Sequence, residues 1–163
     1  MASVRIHTAV ADDLEPIVSI YNASIPGRLA TADLEPVTVA ERVAWFERHD
    51  VARPLWVARD EVVGWLSFEA FYGRPAYHRT AEISVYVASG HQRRGIARRL
   101  LEAAVRRAPE LGLSVLLGFV FGHNTPSLTL FQSFGFERAG TLRRVAELDG
   151  VMRDLVILLR RVG

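Results

Sequence analysis

The stretch VYVASGHQRRGIARRLLEAAVRRA, residues 85–108, runs from an apolar piece through a polar turn around Gly95 into a basic amphipathic segment. A strand ending at Val87, a turn through Gly90 to Arg94 and a helix beginning near Gly95 would aim several backbone N–H groups at one point, together with the positive end of a helix dipole. Such a point binds phosphate. Gly95 lets the backbone approach a ligand closely, Arg93 and Arg94 flank the turn, and Arg98 and Arg99 lie one turn into the helix, charge enough for a pyrophosphate. The same arginines would equally form the solvated face of a helix buried through Ile96, Leu100, Leu101, Ala104 and Val105. Gly90 and Gly95 have P-loop spacing, but Ile96-Ala97 stands where Lys and Ser or Thr are needed, and no G-x-G-x-x-G occurs. ATP and NAD are therefore not the expected ligands. There is no H-E-x-x-H and no G-x-S-x-G, and His7, His49, His78, His91 and His123 are scattered, so neither a metal site nor a serine nucleophile is expected.

The elements that must position this stretch can be read on either side of it. VRIHTA alternates as a strand, and ADDLEPIVSIYNAS has helical spacing with Asp12 or Asp13 as cap and Pro16 in the first turn. IPGRLATADLEP, punctuated by Pro26, Gly27 and Pro36, reads as a loop long enough to cover a pocket. Thr38 and Glu41 form a capping-box pattern before a second helix, whose face is assigned to Val39, Val43 and Phe46. PLWVARDEVVGWLSFEAFY and TAEISVYVA supply three strands of an antiparallel meander, with Ala81, Ile83, Val85 and Val87 alternating against Glu82, Ser84 and Tyr86. LSVLLGFVF is apolar enough to be a central strand buried on both faces. NTPSLTLFQSFGF begins with cap residues, has Pro126 in the first turn and stops at Gly135. GTLRRVAEL and MRDLVILLR are two last strands around the turn Asp149-Gly150.

The chain has 163 residues, half of them hydrophobic, which suits one domain over residues 1–163 with a real core rather than two. No run approaches a membrane span and MASVRIHTAVADD has no apolar signal region, so a cytoplasmic chain without membrane partners is expected. Without cysteine there is no disulfide framework and no thiolate chemistry. The net charge of +2 is too small to argue for nucleic acid, and the six arginines between 93 and 107 lack interleaved aromatics.

Taken together, VYV and QRRGIA followed some thirty residues later by NTPSLTLFQSFGF resemble the acetyl-CoA signature of the GNAT superfamily, whose Q/R-x-x-G-x-G/A falls on Gln92 to Ala97. IYNASI, PVTVAERVAWFERH, RPLWVA, FYGRPAYHRTAEISVYV and PSLTLFQSFGF are similar to its branch of phosphinothricin and methionine-sulfoximine N-acetyltransferases, in order along nearly the full chain. The resemblance implies an α/β (α+β) GNAT fold: a mixed, mostly antiparallel sheet of six to seven strands flanked by about four helices. In it SVYV splays from LLGFVF to hold acetyl-CoA. It also implies that the backbones of Val85, Tyr86 and Val87 bind the pantetheine and that the turn Arg93, Arg94, Gly95, Ile96, Ala97 and Arg98 holds the pyrophosphate. Asn124 would contact the cofactor arm, or would serve only the helix start at Thr125-Pro126. A homodimer and a small-molecule amine substrate are further implications.

Acetyl transfer requires a neutral attacking amine, so a base must remove its proton in a sheltered site. Glu82 is the catalytic candidate that the branch resemblance marks, acting directly or through water. Backbone N–H groups near Val85 suit the developing oxyanion. An amino-acid substrate would need a cation for its carboxylate: Arg74, with Tyr72, Gly73, Ile83 and Ser84 around the acceptor, or Arg28 as competitor. Two departures from the pattern stand out. Phe131 occupies the place where many relatives carry a proton-donating Tyr and this branch often has His, leaving water, Tyr86, Tyr77 or His123 to serve the thiolate. LDGVMRD replaces the Lys-Phe-Gly-Arg-Trp-Leu-Asp common near the C-terminus of the branch. Acetylation of another amine, such as a peptide N-terminus or a polyamine, and acetyl-CoA binding without catalysis are the competing readings.

Overall fold

The computed structural model describes residues 4–163. Strand β1 (Arg5–Thr8) leads to helices α1 (Leu14–Ser24) and α2 (Val39–Glu47), then to the meander β2 (Leu55–Arg59), β3 (Gly64–Ala70) and β4 (Thr80–Val87). Helix α3 (Ile96–Arg107) carries the chain to β5 (Val115–Phe121), α4 (Thr125–Ser133) follows, and β6 (Glu137–Leu148) and β7 (Val151–Arg161) close the chain. One seven-stranded sheet has the order β1-β2-β3-β4-β5-β7-β6. Every pairing is antiparallel except β4 with β5. A parallel pair cannot be joined by a tight turn, which is why the basic helix α3 intervenes as the crossover. The mixed, mostly antiparallel sheet with four helices agrees with the sequence reading.

The sheet is covered on both faces, and the period-2 alternation of its strands sorts residues between two cores. Leu55, Val57 and Trp65 join α1 and α2 on one face; Trp56, Ala58, Leu66 and Phe68 join α3 and α4 on the other. β4 obeys the same rule. Ala81 and Ile83 are buried on the α3 side and Val85 and Val87 pack against that core, while Tyr86 packs against the α1–α2 core. Helix α3 buries Ile96, Leu100, Leu101 and Ala104 and exposes its arginines.

Local signals hold where the chemistry is strong. Thr38 Oγ1 accepts from Glu41 N at 3.1 Å and Glu41 Oε2 accepts from Thr38 N at 2.8 Å, the reciprocal capping box. Asp149 and Gly150 both have positive φ, 52° and 78°, as a type I′ hairpin turn demands. The packed face of α2 differs from the one its periodicity assigned. Val39 and Val43 remain 39% and 40% exposed, and Trp45 is the buried seat of the helix, edge-on to Trp65 at 5.5 Å with the Arg42 guanidinium 5.5 Å from its ring. Only Phe46 of the expected trio packs against that core. One large ring on a nine-residue helix buries more area than two valines, so it sets the rotation.

Gly118 in the middle of β5 permits one close approach. A Cβ there would stand 2.8 Å from Cε1 of Phe131, whose ring packs against the bare strand and edge-on to Phe136 at 5.0 Å. Adding a methyl group should overpack this contact. Gly118→Ala is expected to destabilise the fold by about 1–3 kcal/mol, read from the urea midpoint at constant m-value; an unchanged midpoint would contradict the packing described.

Candidate active site

The parallel pair is short. β4 and β5 are in register only at Thr80↔Val115, Ala81↔Leu116 and Glu82↔Leu117. Beyond that point β4 continues along β3 to Val87, and β5 continues along β7 to Phe121. The strands part like a fork, with Glu82 at the crotch. Between them opens a cleft of about 620 Å³, lined from β4 by Glu82, Ile83, Ser84, Val85 and Tyr86, and from β5 by Phe119, Val120 and Phe121. The inner edges of both strands carry peptide groups without a strand partner, a template for an extended ligand that can itself hydrogen-bond.

The long loop after α1 closes one side, with Leu29 to Ala32 lining the cleft. Three side chains pin its carbonyls. Tyr86 Oη donates to Ala30 O at 3.0 Å, Asn124 Nδ2 to Leu29 O at 3.1 Å, and His123 Nε2 to Arg28 O at 2.8 Å. From α1, Asn22 holds both polar groups of Val37, and the Tyr21 hydroxyl meets Thr31 at 2.6 Å and Asp33. Asn124 thus does two things at once, because its Oδ1 also accepts from Ser127 N at 3.3 Å as the cap of α4.

Immediately past β4 comes the basic turn. Arg93 and Gly95 have left-handed φ of 62° and 78°, and Gly95 is the cap from which α3 starts. Nothing lies within 4 Å of the place a Gly95 Cβ would occupy. Conformation rather than crowding therefore calls for glycine, and the space above the turn is open. The side chains of Arg93 and Arg94 are exposed; Ile96 is buried and Ala97 half-buried. Arg98 leans away, its Nη2 3.4 Å from Ser133 Oγ and its guanidinium 5.1 Å from the Phe134 ring centre.

Among the described residues, Glu82 is the one acidic side chain lining the cleft and no cation lines it. Burial raises the proton affinity of its carboxyl, and the neighbouring charge of Glu69 raises it further. Tyr72, Ile83 and Ser84 share the cleft with it, but Gly73 and Arg74 do not. Left-handed φ at Tyr72 and Gly73, 55° and 64°, turns the chain and puts Gly73 and Arg74 in a neighbouring depression of about 480 Å³ beside Arg53 and His78, with Phe71 lining both spaces. Arg74 makes no ion pair or side-chain hydrogen bond among the described residues. Arg28, its competitor, is engaged with Asp149 at 3.2 Å and the Leu34 carbonyl at 3.0 Å.

Of the groups considered for thiolate protonation, Tyr77 lines the neighbouring depression. His123 and Tyr86 direct their protons to loop carbonyls, and burial holds the Tyr86 phenol well above its ordinary range. Phe131 lines the cleft as expected from its place in the signature. Sequence reasoning missed Ser127, and Val145, Ala146 and Leu155 from the last hairpin. The last group enters through a break in β6–β7 register between Leu142 and Ala146, where Arg144 has φ 53° and its N–H donates to Asp154 Oδ1 at 2.9 Å. No sequence signal marks that bulge. Among the described residues no cluster of three metal-ligating side chains occurs, and no helix is long and apolar enough to cross a membrane.

Known proteins share this architecture. The family described as acetyltransferase (GNAT) family matches residues 15–136. A Bacillus subtilis protein, YwnH, provisionally named a phosphinothricin acetyltransferase, is 50% identical over 154 residues, covering 93% of this chain and 94% of its own. The L-methionine sulfoximine/L-methionine sulfone acetyltransferase of Pseudomonas aeruginosa is 32% identical over 160 residues, covering 96% and 93%. The crystal structure of a GNAT superfamily phosphinothricin acetyltransferase from Sinorhizobium meliloti in complex with AcCoA superposes with a TM-score of 0.93 at 30% identity, over 99% of this chain and 90% of that one. With its forked sheet, basic turn and signature segments all in place, this chain belongs to the GNAT family of acetyltransferases.

Proposed function

We propose that the protein moves an acetyl group from acetyl-CoA to the α-amine of a small amino-acid-like substrate of the methionine sulfoximine, methionine sulfone or phosphinothricin type. The observation that carries this reading is the half-buried carboxylate of Glu82 at the point where β4 leaves β5. The pantetheine arm lies along the free edge of Val85 to Val87, and the pyrophosphate rests on the turn Arg93 to Arg98. The thioester then comes to rest near Glu82. Glu82, directly or through one water, takes a proton from the substrate ammonium; the neutral nitrogen attacks the thioester carbon; backbone N–H groups near Val85 receive the oxyanion. The C–S bond breaks, the nitrogen gives its surplus proton to water, and the thiolate takes its own from water, since Phe131 has none to give.

Arg74 is the best-supported carboxylate handle. A substrate carboxylate inside the cleft would meet Glu82 and no cation, whereas Arg74 stands uncommitted across Phe71. One acidic group is too few for a polyamine pocket, which disfavours that alternative. We further take the single domain to work in the cytoplasm as a homodimer. The apolar exposure of Leu142, Val145, Val151 and Met152 on the last hairpin supports a partner there.

Two experiments test the reading. Because burial and Glu69 raise the Glu82 pKa, kcat/KM should climb with pH through a limb lying above the range of an ordinary glutamate. Glu82→Gln should abolish that limb and lower kcat by about 10²–10⁴-fold with little change in acetyl-CoA affinity; full turnover by this variant would discard the base. For the handle, Arg74→Ala should lose at least about tenfold in kcat/KM with the free amino acid, the equivalent of about 1.5–3 kcal/mol for a charge-assisted pair. The same variant should lose little more with the methyl ester. Inert free acids alongside acetylated peptides or simple amines would remove the amino-acid assignment.

A further inference from the structure

On the sheet face covered by α1 and α2, β3 and β4 set three pairs in a row: Trp65 opposite Tyr86, Ser67 opposite Ser84, and Glu69 opposite Glu82. Residues directly opposite in an antiparallel pair share a face, with Cβ atoms roughly 4.5–5.5 Å apart, and like charges there repel. Glu69 therefore presents a second carboxylate to the candidate base from behind. It is held in turn by Arg48 at the C-terminal cap of α2, whose Nη2 lies 3.7 Å from Glu69 Oε1. The ion pair stands toward solvent, with Glu69 34% and Arg48 67% exposed, while Ser67 one pair deeper is buried and its hydroxyl has no partner among the described residues.

Among the described residues, the surroundings of Glu82 contain no other charge that could do the same work. β5 offers Leu117 opposite it, and the loop side offers Leu29 to Ala32. The phenols of Tyr72 and Tyr86 line the cleft. Besides Glu69 on β3, the segment just after α2 supplies Arg48 and His49. His49 sits with Nδ1 2.9 Å from Trp45 O, and its burial disfavours the imidazolium.

We propose that Glu69, directly opposite Glu82 and restrained by Arg48, is a positioning residue that sets the charge balance around the candidate base. Its carboxylate strengthens the hold of Glu82 on the proton taken from the amine. Arg48 offsets part of the Glu69 charge. The assignment rests on Glu82 being the base and adds the device that tunes it.

Opposite displacements of one titration test it. Glu69→Gln, which keeps shape and removes charge, should move the acid limb of kcat/KM to lower pH; Arg48→Gln, which leaves Glu69 uncompensated, should move it to higher pH. The Glu82 carboxyl, followed by carbon NMR in glutamate-labelled protein and assigned with Glu82→Gln, should titrate with the same two displacements in the absence of substrate. If both variants lower the rate equally at every pH and the Glu82 resonance titrates as in the parent, Glu69 is merely structural and the proposal is overturned. The NMR titration decides this even if Glu82→Gln retains the acid limb, an outcome that would remove the base assignment alone.

Discussion

The site depends on a hydrogen-bond ladder that stops after three residues. A parallel pair extending past Glu82 and Leu117 would fill the space between the strands and leave no cleft. The fork is tolerable because neither strand loses its other partner: β4 stays on β3 and β5 stays on β7, so only the inner edges go unpaired. Buried peptide groups left that way are costly unless water or a ligand satisfies them. The fold thus contains an edge that an amide-bearing ligand would complete. Phe131 lies over Gly118, the first β5 residue beyond the ladder, which ties the fork to the α4 signature segment.

Polar side chains hold the fork's remaining wall. Tyr86, Asn124 and His123 come from β4 and the β5–α4 junction, and each grips a carbonyl of the loop that follows α1. This coupling explains why a loop rich in turn residues lies against the cleft instead of trailing in solvent. It also separates charge along the site. The arginines gather at the turn beyond β4, while the interior holds one carboxylate among apolar and hydroxyl groups. A polyanionic end and a neutral, reacting end of the same ligand would be sorted by that gradient.

Much of this was legible in the sequence. The alternation of TAEISVYVA gave the two faces of β4, Thr38 and Glu41 gave a helix start, and Asp149-Gly150 gave a hairpin, each because a local chemical rule governs it. What was not legible depended on register or on chain direction after a turn. Trp45 displaced the valines as the packed face of α2 because Trp65, twenty residues on, supplies its partner. Arg74 lies two residues from Tyr72 yet outside the cleft, because Tyr72 and Gly73 both take left-handed φ, 55° and 64°, and redirect the chain between them. Glu69 is thirteen residues from Glu82, and only the β3–β4 register reveals that the two carboxylates face each other.

In the proposed reaction the forked edge of β4 and the turn before α3 together receive acetyl-CoA. Amide hydrogen exchange with and without acetyl-CoA tests it most directly, because it reads those backbone groups one segment at a time. Marked added protection is expected in residues 83–87 and in the turn 90–98, with little change in β1, β2 or α2. Protection confined to the neighbouring depression around Arg53 and Arg74, with residues 83–98 exchanging as in the free protein, would contradict it.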